Sequence, residues 1–364
     1  MLLGVFFHAA VSFMATPLGW AVQDRSTHLG VDAFAWLVHA FRMPVFFLLS
    51  GFFSRLLVEK KGVDGFLKQR LLRLGVPLLL FWPPVAGALL LLWRAGRSLP
   101  GQPSSLGTPL DIPLDGALLS PAHLWFLYYL LLIAVVTSLF ARFRMSEKLD
   151  RLRHLAPLAL AAILLGMRPL DIETPLSFLP NPLILAFYGV YFVLGWLLHR
   201  HPERIEGYGR RLWLRALAAL ALLAALAPLL DRLGRTRSLG EWHAPGALLL
   251  GFFSWVTVGL FLGIFVRFLK SERPWVAWLS DAAYWTYLIH LPVCVMLQVW
   301  LAPHAWPGPL KYALVSLGTL AFCLGTYATA VRPTWMGVLL NGARGSTRPI
   351  PRLAPQGSEP GNLR

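Results

Sequence analysis

The chain has 364 residues, 57% of them hydrophobic and 14% charged, against roughly 45–50% and 25% in soluble domains. That balance excludes an ordinary soluble domain and implies a polytopic membrane protein whose first partner is the lipid bilayer. The formal net charge of +16 does not indicate nucleic acid, because the basic residues recur as short clusters between apolar runs and form no single patch.

Apolar runs of about 20 residues, the length that crosses a bilayer, predict about ten transmembrane helices. They lie near residues 1–22, 34–57, 75–93, 123–141, 154–170, 183–199, 212–230, 246–268, 282–302 and 310–331. The expected fold is all-α, an integral membrane bundle over residues 1–331 followed by a disordered basic tail over 332–364. The first run lacks the basic leader of a secretory signal and is followed by further spans, so it reads as a retained helix. The fifth is the weakest, since its charge-free core from Leu155 to Met167 sits between Arg153 and Arg168 and fits a tilted or partly re-entrant segment.

Charge fixes an orientation. Most of the 33 Lys and Arg residues fall in alternate connections: Arg55 to Arg73, Arg142 to Arg153, Arg200 to Arg215, Arg267 to Arg273, and the tail from Arg332. The positive-inside rule makes these cytoplasmic, with both termini inside. The opposite connections, Arg94 to Ala122 with Asp111 and Asp115, and Arg168 to Pro182 with Asp171 and Glu173, are rich in proline and suited to capping a cavity. Trp20, Trp93, Trp125, Trp242, Trp275 and Trp306 stand near span ends, as an interfacial aromatic belt would. Cys294 and Cys323 lie inside apolar runs without metal-ligand spacing or a disulfide framework, so they read as packing residues and no metal is expected. No internal repeat is visible, which counts against an inverted-repeat transporter.

Several polar residues interrupt the apolar runs. His8 lies about two turns into the first span, where a desolvated, neutral imidazole is suited to act as a base; a structural histidine bonded to a backbone carbonyl is the plainer reading. In the second span, HAFRMPVFFLLSGFF from His39 to Phe53 carries Arg42, and a cation in hydrocarbon costs at least ~2.5–3.5 kcal/mol unless it faces a bundle interior or a partner. His39 and Arg42 share a helix face, Pro44 frees a carbonyl one turn earlier, and Ser50-Gly51 leaves room for a close neighbour. Snorkelling to headgroup phosphates is the alternative for Arg42. FLKQRLLRLGVPLL brings Lys68, Arg70 and Arg73 to the mouth of the third span, where guanidinium groups could grip the phosphates of a nucleotide-bearing donor or simply bind anionic lipid. HLWFLYYLL sets His123 and Trp125 at the start of the fourth span as a sugar or acceptor platform. In YWTYLIH, Tyr284, Tyr287 and His290 fall on one half of a helix and should face the bundle, lining a cavity or joining helices.

Together these segments resemble the membrane-bound acyltransferase type 3 family: a first-span histidine, FRMPVFFLLSGFF, KQRLLRLGVP, HLWFL and YWTYLIH, in that order, over residues 1 to about 331. The second-span and HLWFL segments are similar to its glucans biosynthesis protein C branch, associated with succinylating periplasmic glucans. The resemblance implies transfer of an acyl group from cytosolic acyl-CoA, acetyl-CoA or succinyl-CoA, to a carbohydrate hydroxyl, with no bound cofactor. It makes His8 the essential histidine and Arg70 and Arg73 the donor-side element. The family's basic residue about ten positions before that histidine has no counterpart here, so either translation starts upstream or this member lacks the group. On this reading His8 deprotonates the acceptor or takes the acyl group transiently, Arg42 stabilises developing negative charge, and Lys68, Arg70 and Arg73 hold the donor. His39, His123, Trp125, Tyr287 and His290 line the acceptor side. The rivals are a transporter or flippase for an anionic solute, which predicts flux without acyl-CoA consumption, and a structural membrane subunit indifferent to substitution at His8 and Arg42.

Overall fold

The computed structural model describes residues 1–16, 18–102, 120–140, 150–168, 170, 175–236, 238–268 and 273–342. Every regular element among them is helical: α1 (Leu2–Val11), α2 (Leu29–Arg70), α3 (Val76–Arg97), α4 (Trp125–Phe140), α5 (Ala156–Leu165), α6 (Pro182–Leu198), α7 (Glu203–Tyr208), α8 (Leu212–Thr236), α9 (His243–Phe268), α10 (Pro274–Leu301), α11 (Gly308–Thr326) and α12 (Trp335–Asn341). Six continuous segments among the described residues are long and apolar enough to cross a membrane, while Leu2–Val11, Arg153–Leu165 and Pro182–Leu198 are shorter apolar helices. Every apolar run therefore overlaps an apolar helix, but the count of about ten full crossings is not matched by length.

The first difference from expectation is at the start. Helix α1 ends at Val11, and the backbone then runs irregularly to Leu29. The sequence explains the stop, since Pro17 and Gly19 disfavour helix and Gly19 has φ 71°. Irregular backbone at membrane depth persists only where protein satisfies its polar groups. Here the Asp32 carboxylate accepts from the Ala15 and Thr16 amides, both at 3.2 Å, and Arg97 donates to the Gly19 carbonyl at 2.8 Å. Lys311 of α11 meets Asp24 at 2.7 Å, both side chains 4% exposed.

The second and third runs form one helical stretch, Leu29–Arg97, broken in direction at Gly62 (φ 71°, ψ 176°) and continued through a π-turn at Leu71–Gly75. Only glycine adopts that backbone without strain. Arg70 Nη2 donates to Ser54 Oγ at 2.8 Å although 16 residues separate them; on a straight helix they would be about 24 Å apart. The chain doubles back at Gly62.

Two devices place α2 in the core. Pro44 cannot donate to the Ala40 carbonyl, and Ser254 of α9 donates to it at 2.8 Å while bonding the Tyr191 hydroxyl of α6 at 2.8 Å. Gly51 of α2 faces the Phe192 carbonyl, and Gly195 of α6 faces the Leu48 carbonyl, so the two backbones cross in contact and any side chain at either glycine would collide. Helix α8 lies at the periphery, with Trp213, Leu217 and Leu220 each at least 60% exposed.

Beyond the membrane-length helices, Arg204 of α7 makes a forked pair with Asp150 at 2.8 and 3.1 Å, and holds that carboxyl below the usual carboxylate range. The segment after Val331, expected to be disordered, opens with helix α12; its Asn341 donates to the Asp281 carbonyl and the Tyr327 hydroxyl, both at 3.0 Å. Asp111, Asp115, Arg142, Arg144, Lys148, Asp171, Glu173, Lys270 and the tail from 343 lie outside the described residues.

Candidate active site

Four elements bring His8, Arg42, His123, Tyr287 and His290 together. The His290 ring centre stands 5.2 Å from that of His8 and 5.3 Å from that of His123. Arg42 lies 4.4 Å over the Phe7 ring of α1, and His39, one turn away on the same face of α2, stacks on that ring at 5.6 Å. Gly4 lets α1 approach: a methyl group there would come within 3.3 Å of Arg42 Nη1 and 3.9 Å of His290 Nε2, so both atoms border one small space. The Arg42 Nε makes no hydrogen bond among the described residues.

Backbone carbonyls set the histidine tautomers. Pro292 leaves the Leu288 carbonyl without its helical donor. His123 Nε2 reaches that oxygen at 3.2 Å and the Tyr287 carbonyl at 3.0 Å, and Tyr287 returns a bond from its hydroxyl to the His123 carbonyl at 2.7 Å. His290 Nδ1 lies 3.0 and 2.9 Å from the Thr286 and Tyr287 carbonyls. A carbonyl only accepts, so His123 carries its proton on Nε2 and His290 on Nδ1. The lone pairs are left on His123 Nδ1 and His290 Nε2, both buried and without a hydrogen-bond partner among the described residues, as is His8 Nδ1.

At one end of this cluster, the Tyr284 hydroxyl donates to the Arg73 carbonyl, Arg70 lies over the Phe66 ring at 5.5 Å, and the Arg73 guanidinium packs on Gly342 after α12. Lys68 is exposed. At the other end, Gln298 of α10 donates to the His8 carbonyl at 2.9 Å and accepts from the Trp20 indole at 2.9 Å; Trp20 stacks on His8 at 5.7 Å and meets Trp93 edge-on at 5.0 Å.

Trp20 and Trp93 therefore face inward, unlike Trp242, Trp275 and Trp306, which are 41–55% exposed as a belt requires. Trp125 is 4% exposed and packs on Phe47, Tyr129 and Tyr188, apart from the histidines. Tyr284 serves the Arg73 end, while Tyr287 and His290 join the cluster. The sequence reading missed Gln298 and Ser254. Gln298 was detectable, because positions 290, 294 and 298 share a helix face and an amide in HLPVCVMLQVW needs a partner inside the bundle. Ser254 was not, since nothing local shows which helix supplies the donor for Ala40.

The glucans biosynthesis protein C sequences of Salmonella agona, Salmonella typhi and Salmonella typhimurium are each 25% identical to this chain, covering 94% of it and 92% of their own length. No solved structure matches it. A family profile described as an acyltransferase domain matches residues 1–328. The chain belongs to that acyltransferase family.

Proposed function

We propose that this acyltransferase takes an acetyl or succinyl group from cytosolic acyl-CoA at the Arg70–Arg73 mouth and delivers it to a carbohydrate hydroxyl on the other side of the cell inner membrane, with both termini cytoplasmic. The relatives are named for glucan biosynthesis, which makes a glucan the first acceptor to test. The observation that carries the reading is a polar file along α10. Tyr284 sits at the arginine mouth, Tyr287 and His290 in the histidine cluster, and Gln298 at the aromatic end. From Tyr284 to Gln298 the file covers about 21 Å of helix, most of a hydrocarbon core.

In the reaction, His8 takes the proton of the acceptor hydroxyl as its oxygen bonds to the thioester carbonyl carbon. The C–S bond then breaks, and His8 returns the proton to the leaving thiolate. Arg42, beside that space, stabilises the oxyanion of the tetrahedral intermediate. His290, its Nε2 lone pair held toward the same space, accepts a hydrogen bond from protonated His8 and spreads its charge, no carboxylate among the described residues being at hand. Arg70 and Arg73 contact donor phosphates, and the carbohydrate approaches past Trp20 and Gln298.

The test is transfer of radiolabelled acetyl or succinyl from the CoA thioester to a glucan by purified protein in proteoliposomes. Ester formation on the glucan, with Arg73→Ala raising the KM for donor and Lys60→Ala leaving it unchanged, is the expected result. Uptake of an anionic solute with no thioester consumption would favour a transporter.

A further inference from the structure

At the Gln298 end of the bundle lies a cavity of about 360 Å³ between the irregular segment after α1, the turn after α3 and the end of α10. Its walls include Gln23, Asp24, Arg25, Thr27, Gln102 and Ala302. That volume is within the range of small-ligand sites, and none of these residues belongs to the cluster described above. We infer that this cavity is a binding subsite for an uncharged saccharide, holding the acceptor chain while one of its hydroxyls reaches His8. The inference rests on the carbohydrate-acceptor reading and names its site.

Four features point to a polyol. The walls are built before any ligand arrives: the Gln23 amide donates to Gln102 Oε1 at 2.8 Å, Gln102 Nε2 donates to the Gln23 carbonyl at 3.2 Å, and Gln23 Nε2 donates to the Met14 carbonyl at 3.3 Å. Among the described residues each side-chain amide still has a second N–H and spare lone pairs, and Thr27 adds a hydroxyl, so the lining both donates and accepts as sugar hydroxyls do. Asp24 is neutralised by Lys311 at 2.7 Å and also accepts from the Ser26 amide at 2.9 Å, which removes the charge that would favour a cation, and the remaining charged wall residue, Arg25, is exposed, where water screens its guanidinium. Finally, Ala302 follows Gln298 on α10 by four residues, about 6 Å, and Gln298 touches both His8 and Trp20. The Trp20 and Trp93 rings give the apolar face of a sugar a surface to rest on between cavity and imidazole. The donor mouth at Arg73 lies at the opposite end of the same helix, so donor and acceptor enter separately.

The experiment measures binding of a neutral gluco-oligosaccharide to the full-length protein in nanodiscs, by quenching of tryptophan fluorescence and by calorimetry, alongside the KM for glucan in the transfer assay. Gln102→Ala and Thr27→Val should each weaken saccharide binding about tenfold and raise the acceptor KM equally, leaving the donor KM unchanged. Because Gln102→Ala removes wall bonds, Ala302→Phe is the second variant: it fills the cavity, leaves those bonds intact, and should abolish saccharide binding. Transfer with an unchanged acceptor KM in Ala302→Phe would overturn the subsite while leaving the acyltransfer reading in place. Saccharide binding lost in these variants of a protein that transfers no acyl group would establish the subsite and sink that reading instead. Binding of anionic phospholipid headgroups that depends on Arg25, with none of oligosaccharide, would overturn the assignment of ligand.

Discussion

His8 and Arg42 reach the same space from different helices, one against His290 and the other against Gly4, so they should act as one unit. His8→Ala and Arg42→Ala are each expected to lower turnover by about 10²–10⁴-fold, and the double variant to be scarcely worse than the more damaging single. Turnover per folded molecule, normalised by size-exclusion profile in detergent, is the quantity to compare; additive losses would mean the two residues work independently. His290 is a positioning residue in this scheme and allows a finer test. Glutamine can supply a donor to the carbonyls and an acceptor toward His8, so His290→Gln should keep about a tenth of the activity, whereas His290→Leu should lose about a hundredfold. Removing the acceptor destabilises protonated His8, so the acid limb of the rate profile should move to lower pH in His290→Leu and stay in place in His290→Gln. The other groups around these rings are His39 and Arg42 on α2, His123 before α4, Tyr287 on α10 and the amino group of Met1, and none of them is altered by the substitution. Equal pH profiles in all three proteins would remove His290 from the mechanism.

Helices α2 and α10 share a device: a proline frees a carbonyl that a side chain from another helix then occupies. For α2 the pair is the Ala40 carbonyl and Ser254; for α10 it is the Leu288 carbonyl and His123. The freed carbonyls thus tie each helix to the tertiary contacts that fix Arg42 and His123. Ser254→Ala should destabilise the bundle by about 1–3 kcal/mol, because a buried carbonyl is left without a donor. In a Pro44→Ala background the restored amide of residue 44 can bond that carbonyl within the helix, and the cost of Ser254→Ala should fall by more than half. Unfolding in mixed micelles of the four proteins of the cycle measures the coupling, and independence of the two substitutions would contradict it.

At the scale of the molecule, the proposed direction of transfer depends on orientation. Lys60 and Ser98 lie near opposite ends of the hairpin that turns at Gly62, and both are exposed. Cys294 and Cys323 are buried and give little background. Lys60→Cys should react with an impermeant maleimide only after the inner membrane is opened, while Ser98→Cys should react in intact spheroplasts. The reverse pattern would place Arg70 and Arg73 away from cytosolic acyl-CoA.

Composition and the length of the apolar runs were enough to define a helical membrane protein, because backbone in lipid must satisfy its own hydrogen bonds and a helix does so locally. Arg42 was legible as an interior residue for the same reason, since its charge is costly anywhere else, and the ordered motifs were enough to name the family. What only the tertiary structure decided is which groups meet. Pro17 and Gly19 end α1 in sequence, but the irregular backbone beyond it is held by Asp32 and Arg97, both distant in sequence, while Gln298 bonds the His8 carbonyl in the last turn of α1. The run from Leu29 to Arg97 reverses because of one glycine whose φ no local pattern announces. Trp20 and Trp93 look like belt residues in sequence and become the surface beside His8 only when α3 packs on the first segment. The tautomer of His123 follows from the Leu288 carbonyl that Pro292 frees and the Tyr287 carbonyl beside it, so it exists only after the two elements have docked, whereas that of His290 is set within α10 by the carbonyls of Thr286 and Tyr287.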